Sequence, residues 1–194
     1  MKKIFYFLIL LTTIKSLGQI PQSGIYNELI LVRNETNKTI DGYFNSSTGN
    51  GQISCIYEFK GTFKTLNDKK ISVTAFWQDD DEIITGELIC KEGNKFLLKF
   101  SEPLLGDMAC GGVSQSGAEF EMTKQKNWKE IRIAKTEKTY FYKEPKISTK
   151  RKAYITDLDA VGVIEEKGEW ILVDFNGSKL TTGWIKKSDL YKKK

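Results

Sequence analysis

Apolar residues in this sequence alternate with polar ones at a period of two. Short runs rich in Ile, Val, Phe and Tyr recur about every ten residues, with turn-forming residues between them. In one such run Ile53, Cys55, Tyr57 and Phe59 fall on one face, and polar residues occupy most of the other. No stretch has the apolar spacing of a long amphipathic helix. The pattern therefore predicts an all-β fold.

The first half of the chain contains seven predicted strands. They are Glu28–Arg33, Thr39–Phe44, Ile53–Phe63, Ile71–Trp77, Ile84–Lys91, Lys95–Phe100 and Ala118–Thr123. Gly93-Asn94 is predicted to be a hairpin turn because Gly takes a positive φ without strain. Gln78–Asp81 is predicted to be an exposed turn. Consecutive hairpins of this kind favour an antiparallel meander that closes into a barrel or folds into a sandwich.

Residues Met1–Gln19 have the pattern of a secretory signal peptide. Lys2 and Lys3 precede the apolar stretch Ile4–Ile14, and Ser16–Gly18 has a small residue at each end. A bilayer span needs about 20 apolar residues, so the stretch is too short for a membrane anchor. We therefore expect a periplasmic or secreted protein with no membrane insertion after cleavage.

Charge is distributed unevenly between the two halves of the chain. Residues 20–124 carry 10 basic and 15 acidic side chains, whereas residues 125–194 carry 17 and 10. The division predicts two modules that either dock on each other or turn a basic face to an anionic polymer. Solvated surface lysines are the alternative. Without residues 1–19 the net charge is +2, which argues against a nucleic-acid partner.

A polar connector separates the two predicted modules. We place the β-rich first module at residues 20–124, the linker at residues 125–130 and the second module at residues 131–194. Trp128 is the single large apolar residue of the linker. A lone Trp in such a segment is expected to pack between the modules that flank it.

The residue inventory restricts the chemistry that this chain can perform. It has no histidine, which excludes His-based catalytic triads and removes the commonest transition-metal ligand. Glu58, Glu87 and Glu92 are conceivable carboxylate catalysts, but each is expected on a solvent-facing strand position. Asp79–Glu82 lacks the alternating spacing of a calcium loop. We therefore predict a non-enzymatic protein without metal or cofactor.

An ordered series of aromatic, apolar and glycine positions fills the last third of the chain. The series comprises Tyr140-Phe141-Tyr142, Pro145, Lys152–Ile155, Asp157–Asp159, Val161–Glu166, Gly168, Trp170–Phe175, Thr182–Ile185 and Ser188–Leu190. With this order and spacing, residues 131–194 resemble a bacterial SH3-like (SH3b) domain. The resemblance implies a small barrel of five or six strands that binds a cell-wall peptide or glycan.

The same resemblance suggests a ligand groove lined by four aromatic side chains. They are Tyr140, Tyr142, Trp170 and Trp184. The alternative is that these rings form only the core and rim of a small barrel.

The first module also carries a series of motifs that suggests a relationship. The motifs are Gly42–Phe44, Thr48–Gly51, Cys55 with Tyr57, Phe59–Gly61, Gly86–Leu88, Cys110 and Phe120–Met122. Through them the module is similar to a β-rich domain of exported proteins of Bacteroidetes-type bacteria. The similarity implies a Cys55–Cys110 disulfide that leaves Cys90 alone, although the sequence by itself allows all three pairings. Cys90 is expected to be a buried, inert thiol.

Three functions remain open from the sequence. The first is recognition of peptidoglycan or another envelope component by the C-terminal module. The second is an interaction or inhibitor role towards an exported protein such as a lysozyme or toxin. The third is a small-ligand carrier that uses a cavity in the N-terminal barrel. The sequence does not indicate the oligomeric state.

Overall fold

The chain forms two antiparallel β-sheets that follow each other in the sequence. A computed structural model describes residues 19–48, 53–78, 80–103, 113 and 116–192. The strands are β1 (Gly24–Tyr26), β2 (Leu29–Asn34), β3 (Thr39–Thr48), β4 (Ile53–Thr62), β5 (Lys70–Trp77), β6 (Asp80–Cys90), β7 (Lys95–Phe100), β8 (Ala118–Glu121), β9 (Lys124–Gln125), β10 (Glu130–Ile133), β11 (Thr139–Tyr142), β12 (Lys150–Ile155), β13 (Ala160–Lys167), β14 (Trp170–Asn176) and β15 (Leu180–Lys186). The predicted all-β class is confirmed.

Strands β1–β9 form the N-terminal sheet, in the order β8-β7-β6-β5-β4-β3-β2-β1-β9. The sheet curls strongly, because aromatic rings from distant strands meet across its concave side. The rings of Tyr26 on β1 and Phe96 on β7 lie 5.1 Å apart between centroids, and those of Phe44 on β3 and Phe120 on β8 lie 5.9 Å apart. The meander is therefore a half-barrel whose concave side holds the core.

All seven strands predicted for this region are present, with some different ends. β3 extends to Thr48 because its polar end pairs with β4 along the whole hairpin. β6 begins at Asp80, which pairs with Trp77, so the predicted exposed turn is shorter than expected. The two short strands β1 and β9 pair with each other and were not predicted. β9 includes Gln125, the first residue of the predicted linker.

The β6–β7 hairpin turns at Gly93-Asn94, as predicted, but the connection is longer than the predicted two-residue turn, because β6 ends at Cys90 and β7 begins at Lys95. Both residues have positive φ, 73° at Gly93 and 58° at Asn94. A Cβ atom on Gly93 would meet no atom within 4 Å, so its glycine is required by backbone conformation and not by space.

We expect Gly93→Ala to lower the free energy of unfolding by about 1 kcal/mol, because an L-residue at this φ is strained. Urea denaturation followed by circular dichroism measures the loss. Glu92→Ala, at the neighbouring exposed position, is the matched control. An unchanged midpoint for Gly93→Ala would contradict the proposed role of the turn.

Strands β10–β15 form the C-terminal sheet, in the order β10-β13-β14-β15-β11-β12. Every pairing in it is antiparallel. Alternate residues such as Phe141, Ile171, Val173 and Ile185 point to a small buried core. Two single-turn 3-10 helices, Ile147–Thr149 and Lys187–Asp189, complete this half.

A separate apolar cluster joins the two sheets. It combines residues of β1–β3 with residues of the linker and of the C-terminal half: Ile25, Ile30, Val32, Tyr43, Trp128, Ile133 and Ala160. Trp128 is only 4% exposed within it. The prediction that this residue packs between the two halves is confirmed. In addition, the Tyr43 hydroxyl on β3 donates a hydrogen bond to the carbonyl oxygen of Leu158.

Polar contacts surround Trp128 and fix its orientation. Its indole Nε1 donates to Asp174 Oδ2 at 3.1 Å, and the Lys126 ammonium reaches the same oxygen at 2.6 Å. The Thr182 hydroxyl donates to the other carboxylate oxygen of Asp174. On β13, a Cβ atom on Gly162 would lie 2.2 Å from Cδ2 of Trp128. The indole therefore lies directly over the backbone of β13.

The predicted signal peptide lies almost wholly outside the described residues, which begin at Gln19. Ile20 is fully buried in the N-terminal core, and its backbone N–H donates to the carbonyl oxygen of Leu66 at 3.0 Å. Within the described part of the chain, no helix has the length and apolar character needed to cross a membrane.

Candidate functional site

Strand alternation places the four predicted groove residues on the outer side of the C-terminal sheet. Phe141 and Ile171 point into the core, so their neighbours Tyr140, Tyr142 and Trp170 point away from it. Trp184 on β15 pairs with Tyr142 on β11, which brings it to the same side. The structure therefore places these residues on one surface.

Ring contacts join four aromatic residues of this surface in two separate pairs. The rings of Tyr142 and Trp170 meet edge to face with centroids 4.7 Å apart. Tyr140 pairs with Tyr154 on β12, and their ring centroids lie 5.7 Å apart. Tyr154 was not among the predicted residues. We use the name aromatic face for Tyr140, Tyr142, Tyr154, Trp170 and Trp184.

The residues of the aromatic face differ in their access to solvent. Tyr154 is 46% exposed, whereas Tyr142 is only 6% exposed. The rings of Tyr140, Trp170 and Trp184 are half-buried. Tyr142 thus packs beneath Trp170 and contributes little exposed surface. The other four side chains provide the surface that a ligand can contact.

Three lysines place their ammonium groups over rings of the aromatic face. Lys150 Nζ lies 3.4 Å from the centroid of Tyr140, Lys138 Nζ lies 5.4 Å from that of Tyr154, and Lys186 Nζ lies 6.0 Å from that of Trp170. Cation–π attraction stabilises each contact by about 0.5–1 kcal/mol at an exposed site. The face therefore combines flat apolar surface with positive charge.

The sequence indicated an excess of positive charge in the last part of the chain but not the positions of the lysines on its surface. The positive charge of residues 125–194 predicted either a basic face or scattered surface lysines. Strand pairing places two of these lysines beside the aromatic face, because Lys150 pairs with Tyr142 and Lys186 pairs with Trp170. Tyr154 had a weaker signal, as the aromatic residue of the motif Lys152–Ile155, one of those that carry the resemblance of residues 131–194 to SH3-like domains.

Trp128 of the linker covers part of the outer side of the C-terminal sheet, at a place away from Trp170. Asp174 pairs with Gly162 and Thr182 there, and Trp128 lies over Gly162. One part of this outer side is therefore buried by the linker, and the aromatic face forms another part.

The cysteines have different surroundings. Cys90 is a free thiol and is 8% exposed, as predicted. Burial, followed by the charge of Asp68, raises the pKa of Cys90 to about 11, so it is protonated at neutral pH. Cys55 is buried on β4. Cys110 lies outside the described residues, and the Cys55–Cys110 disulfide stays a prediction.

The carboxylates considered as catalysts have structural partners or lie on a turn. Glu58 accepts a hydrogen bond from the Gln78 amide, and Glu87 forms an ion pair with Lys70. Glu92 lies in the exposed β6–β7 turn. Among the residues that the structure describes, no group of three His, Cys, Asp or Glu side chains is arranged to hold a metal ion.

The interior of the half-barrel is filled by aromatic side chains. Tyr57, Phe59 and Phe96 are each no more than 1% exposed within it. Phe76, by contrast, is on the outer side beneath the Lys60 ammonium, 5.1 Å from the ring centroid. Burial raises the pKa of Tyr57, so its hydroxyl stays neutral. Packing of this kind argues against a carrier cavity at this position.

No protein-family model matches the chain, and neither a curated protein nor a solved structure is significantly similar to it.

Proposed function

We propose that this protein is an exported, non-enzymatic binding protein that recognises peptidoglycan or another anionic polymer of the cell envelope through its aromatic face. The observation that carries the proposal is the placement of Lys150, Lys138 and Lys186 over three rings of that face. Sugar rings and apolar side chains pack on aromatic surfaces, and ammonium groups attract carboxylates.

The resemblance of residues 131–194 to bacterial SH3-like domains supports the same proposal, because such domains commonly bind cell-wall peptides or glycans. Export is supported by the signal-peptide pattern at residues 1–19. Ile20, the residue that follows this segment, is buried in the core. Cleavage near Gln19 therefore leaves the processed chain with every described core residue.

The test is co-sedimentation of the processed protein with purified cell-wall sacculi. We expect the wild-type protein to pellet, and Tyr154→Ala and Trp184→Ala each to weaken the apparent affinity about tenfold, as for an aromatic anchor at an interface. Lys150→Ala is expected to weaken binding less and to reduce its sensitivity to salt, since it removes one exposed charge.

Matched control variants lie on the N-terminal sheet. Ile83→Ala removes a side chain that is 66% exposed, and Lys99→Ala removes an exposed cation. Both are expected to pellet like wild type. Equal pelleting of the controls and the aromatic-face variants, with all of them folded by circular dichroism, would reject the proposal. Absence of wild-type pelleting would reject it too.

A further inference from the structure

A cleft of about 360 Å³ opens between the two halves of the molecule, away from the aromatic face. Ligand sites for small molecules in proteins begin at about 300 Å³. The lining comes from turns and strands of both sheets: Asn27, Glu28, Ile30, Tyr43, Asn45, Asp159, Ala160, Phe175, Asn176 and Gly177.

The floor of the cleft is apolar. Ile30, Tyr43 and Ala160 are each no more than 7% exposed, and Phe175 is half-buried beside them. A Cβ atom on Gly177 would lie 2.6 Å from the Phe175 ring, so the ring is packed tightly against the β14–β15 turn. This closely packed apolar floor can therefore receive the flat face of a small ring.

The rim of the cleft is polar and negative. Asn27, Asn45 and Asn176 bring exposed side-chain amides, and Glu28 and Asp159 bring carboxylates. None of the ten lining residues is Lys or Arg. Such a rim offers hydrogen bonds to hydroxyl groups and attracts a cation, because no basic lining residue neutralises the two carboxylates.

Internal contacts hold the Asp159 carboxylate in place. Asp159 Oδ2 accepts hydrogen bonds from the backbone N–H of Thr156 at 2.7 Å and from its hydroxyl at 2.9 Å. Burial and then the Asp159 charge raise the pKa of Tyr43, which indicates that this carboxylate lies close to the Tyr43 hydroxyl at the floor. The hydroxyl already donates to Leu158, so Tyr43 contributes mainly its ring.

We propose that this cleft binds a small hydroxylated ring that carries an ammonium group, of the size and chemistry of an amino sugar. The ammonium pairs with Glu28 and Asp159, the hydroxyls bond the side-chain amides, and the ring packs on Tyr43 and Phe175. The proposal uses no residue of the aromatic face and stands independently of envelope binding.

Glucosamine, glucose and N-acetylglucosamine are suitable probes, titrated separately into the ¹⁵N-labelled processed protein. We expect glucosamine to shift the backbone amide signals of Asn45, Asn176 and Gly177, and to bind at least fivefold more tightly than either neutral sugar. Glu28→Gln should weaken glucosamine binding about fivefold, the upper range for one exposed ion pair. Glu92→Gln, an exposed carboxylate on the β6–β7 turn, should not change it.

Equal affinity for glucosamine and glucose would overturn the ammonium assignment, as would an unchanged affinity in Glu28→Gln. If glucosamine leaves the three cleft signals unmoved, the cleft is not a site for this class of ligand. None of these three results bears on co-sedimentation with sacculi, so the two proposals fail separately.

Discussion

Trp128→Ala should lower the free energy of unfolding by about 3–5 kcal/mol, the usual cost of truncating a buried Trp. The indole is 4% exposed and lies in the apolar cluster between the two sheets. Its removal leaves a cavity over Gly162 and takes one hydrogen-bond donor from Asp174. Urea unfolding, followed in parallel by far-UV circular dichroism and by tryptophan fluorescence, measures the loss.

The same variant is expected to reduce cooperativity between the two halves. The C-terminal sheet has a small core and depends on its neighbour for additional burial. With the joining cluster weakened, the two spectroscopic transitions should separate, whereas those of the wild-type protein should coincide.

Trp128→Phe is the matched control for this prediction. It keeps part of the apolar contact but removes the N–H donor to Asp174 and part of the ring volume, so a smaller loss than that of Trp128→Ala is expected. Gly162→Ala tests the same contact from the other side, because its Cβ would overlap the indole. Wild-type stability in both Trp128→Ala and Gly162→Ala would show that the linker does not hold the halves together.

Much of the fold was predictable because strands with one buried face carry a period-two pattern. Ile53–Phe63 illustrates this, since Cys55, Tyr57 and Phe59 are buried and the strand ends only one residue earlier than predicted. β1 and β9 escaped prediction because they have three and two residues, too few for a period to be recognised. Their pairing depends on tertiary contact between distant segments.

The candidate site was partly predictable for a different reason. Aromatic residues at outward strand positions, such as Trp184, are visible in the sequence. Which of them meet depends on pairing between strands, and a bulge between Tyr140 and Tyr142 shifts the register of β12. The contacts of Lys138 with Tyr154 and the cleft between the sheets depend on this tertiary arrangement and have no local sequence signal.

Asp174→Ala is also expected to lower the free energy of unfolding strongly. The Asp174 side chain is 5% exposed, its carboxylate is 2.6 Å from the Lys126 ammonium, and that lysine side chain is only 14% exposed. Asp174→Ala leaves this cation and the Trp128 N–H without their acceptor. Removal of one partner of a buried ion pair costs about 3–5 kcal/mol, and we expect a loss in that range.

The double variant Lys126→Met/Asp174→Asn separates the pair from its surroundings. Met keeps an apolar side chain of similar length at position 126 and carries no charge. The double variant therefore leaves no buried cation without a partner and should be more stable than Asp174→Ala. Additive effects of Lys126→Met and Asp174→Asn in the thermodynamic cycle would show that the pair has no coupling energy, contrary to the geometry.

The pH dependence of stability provides an independent test of the same carboxylate. Burial opposes ionisation of Asp174, but hydrogen bonds from Lys126, Thr182 and Trp128 outweigh it and hold its pKa below the ordinary value. Because the folded state has the lower pKa, the carboxylate stabilises the fold fully above the unfolded-state pKa of about 3.9. This contribution is lost as the pH falls through the folded-state pKa.

Urea midpoints of the wild-type protein should therefore fall more steeply below about pH 4 than those of Asp174→Asn, in which position 174 does not titrate. Parallel acid profiles for the two proteins would mean that the contacts around Trp128 do not depend on this charge.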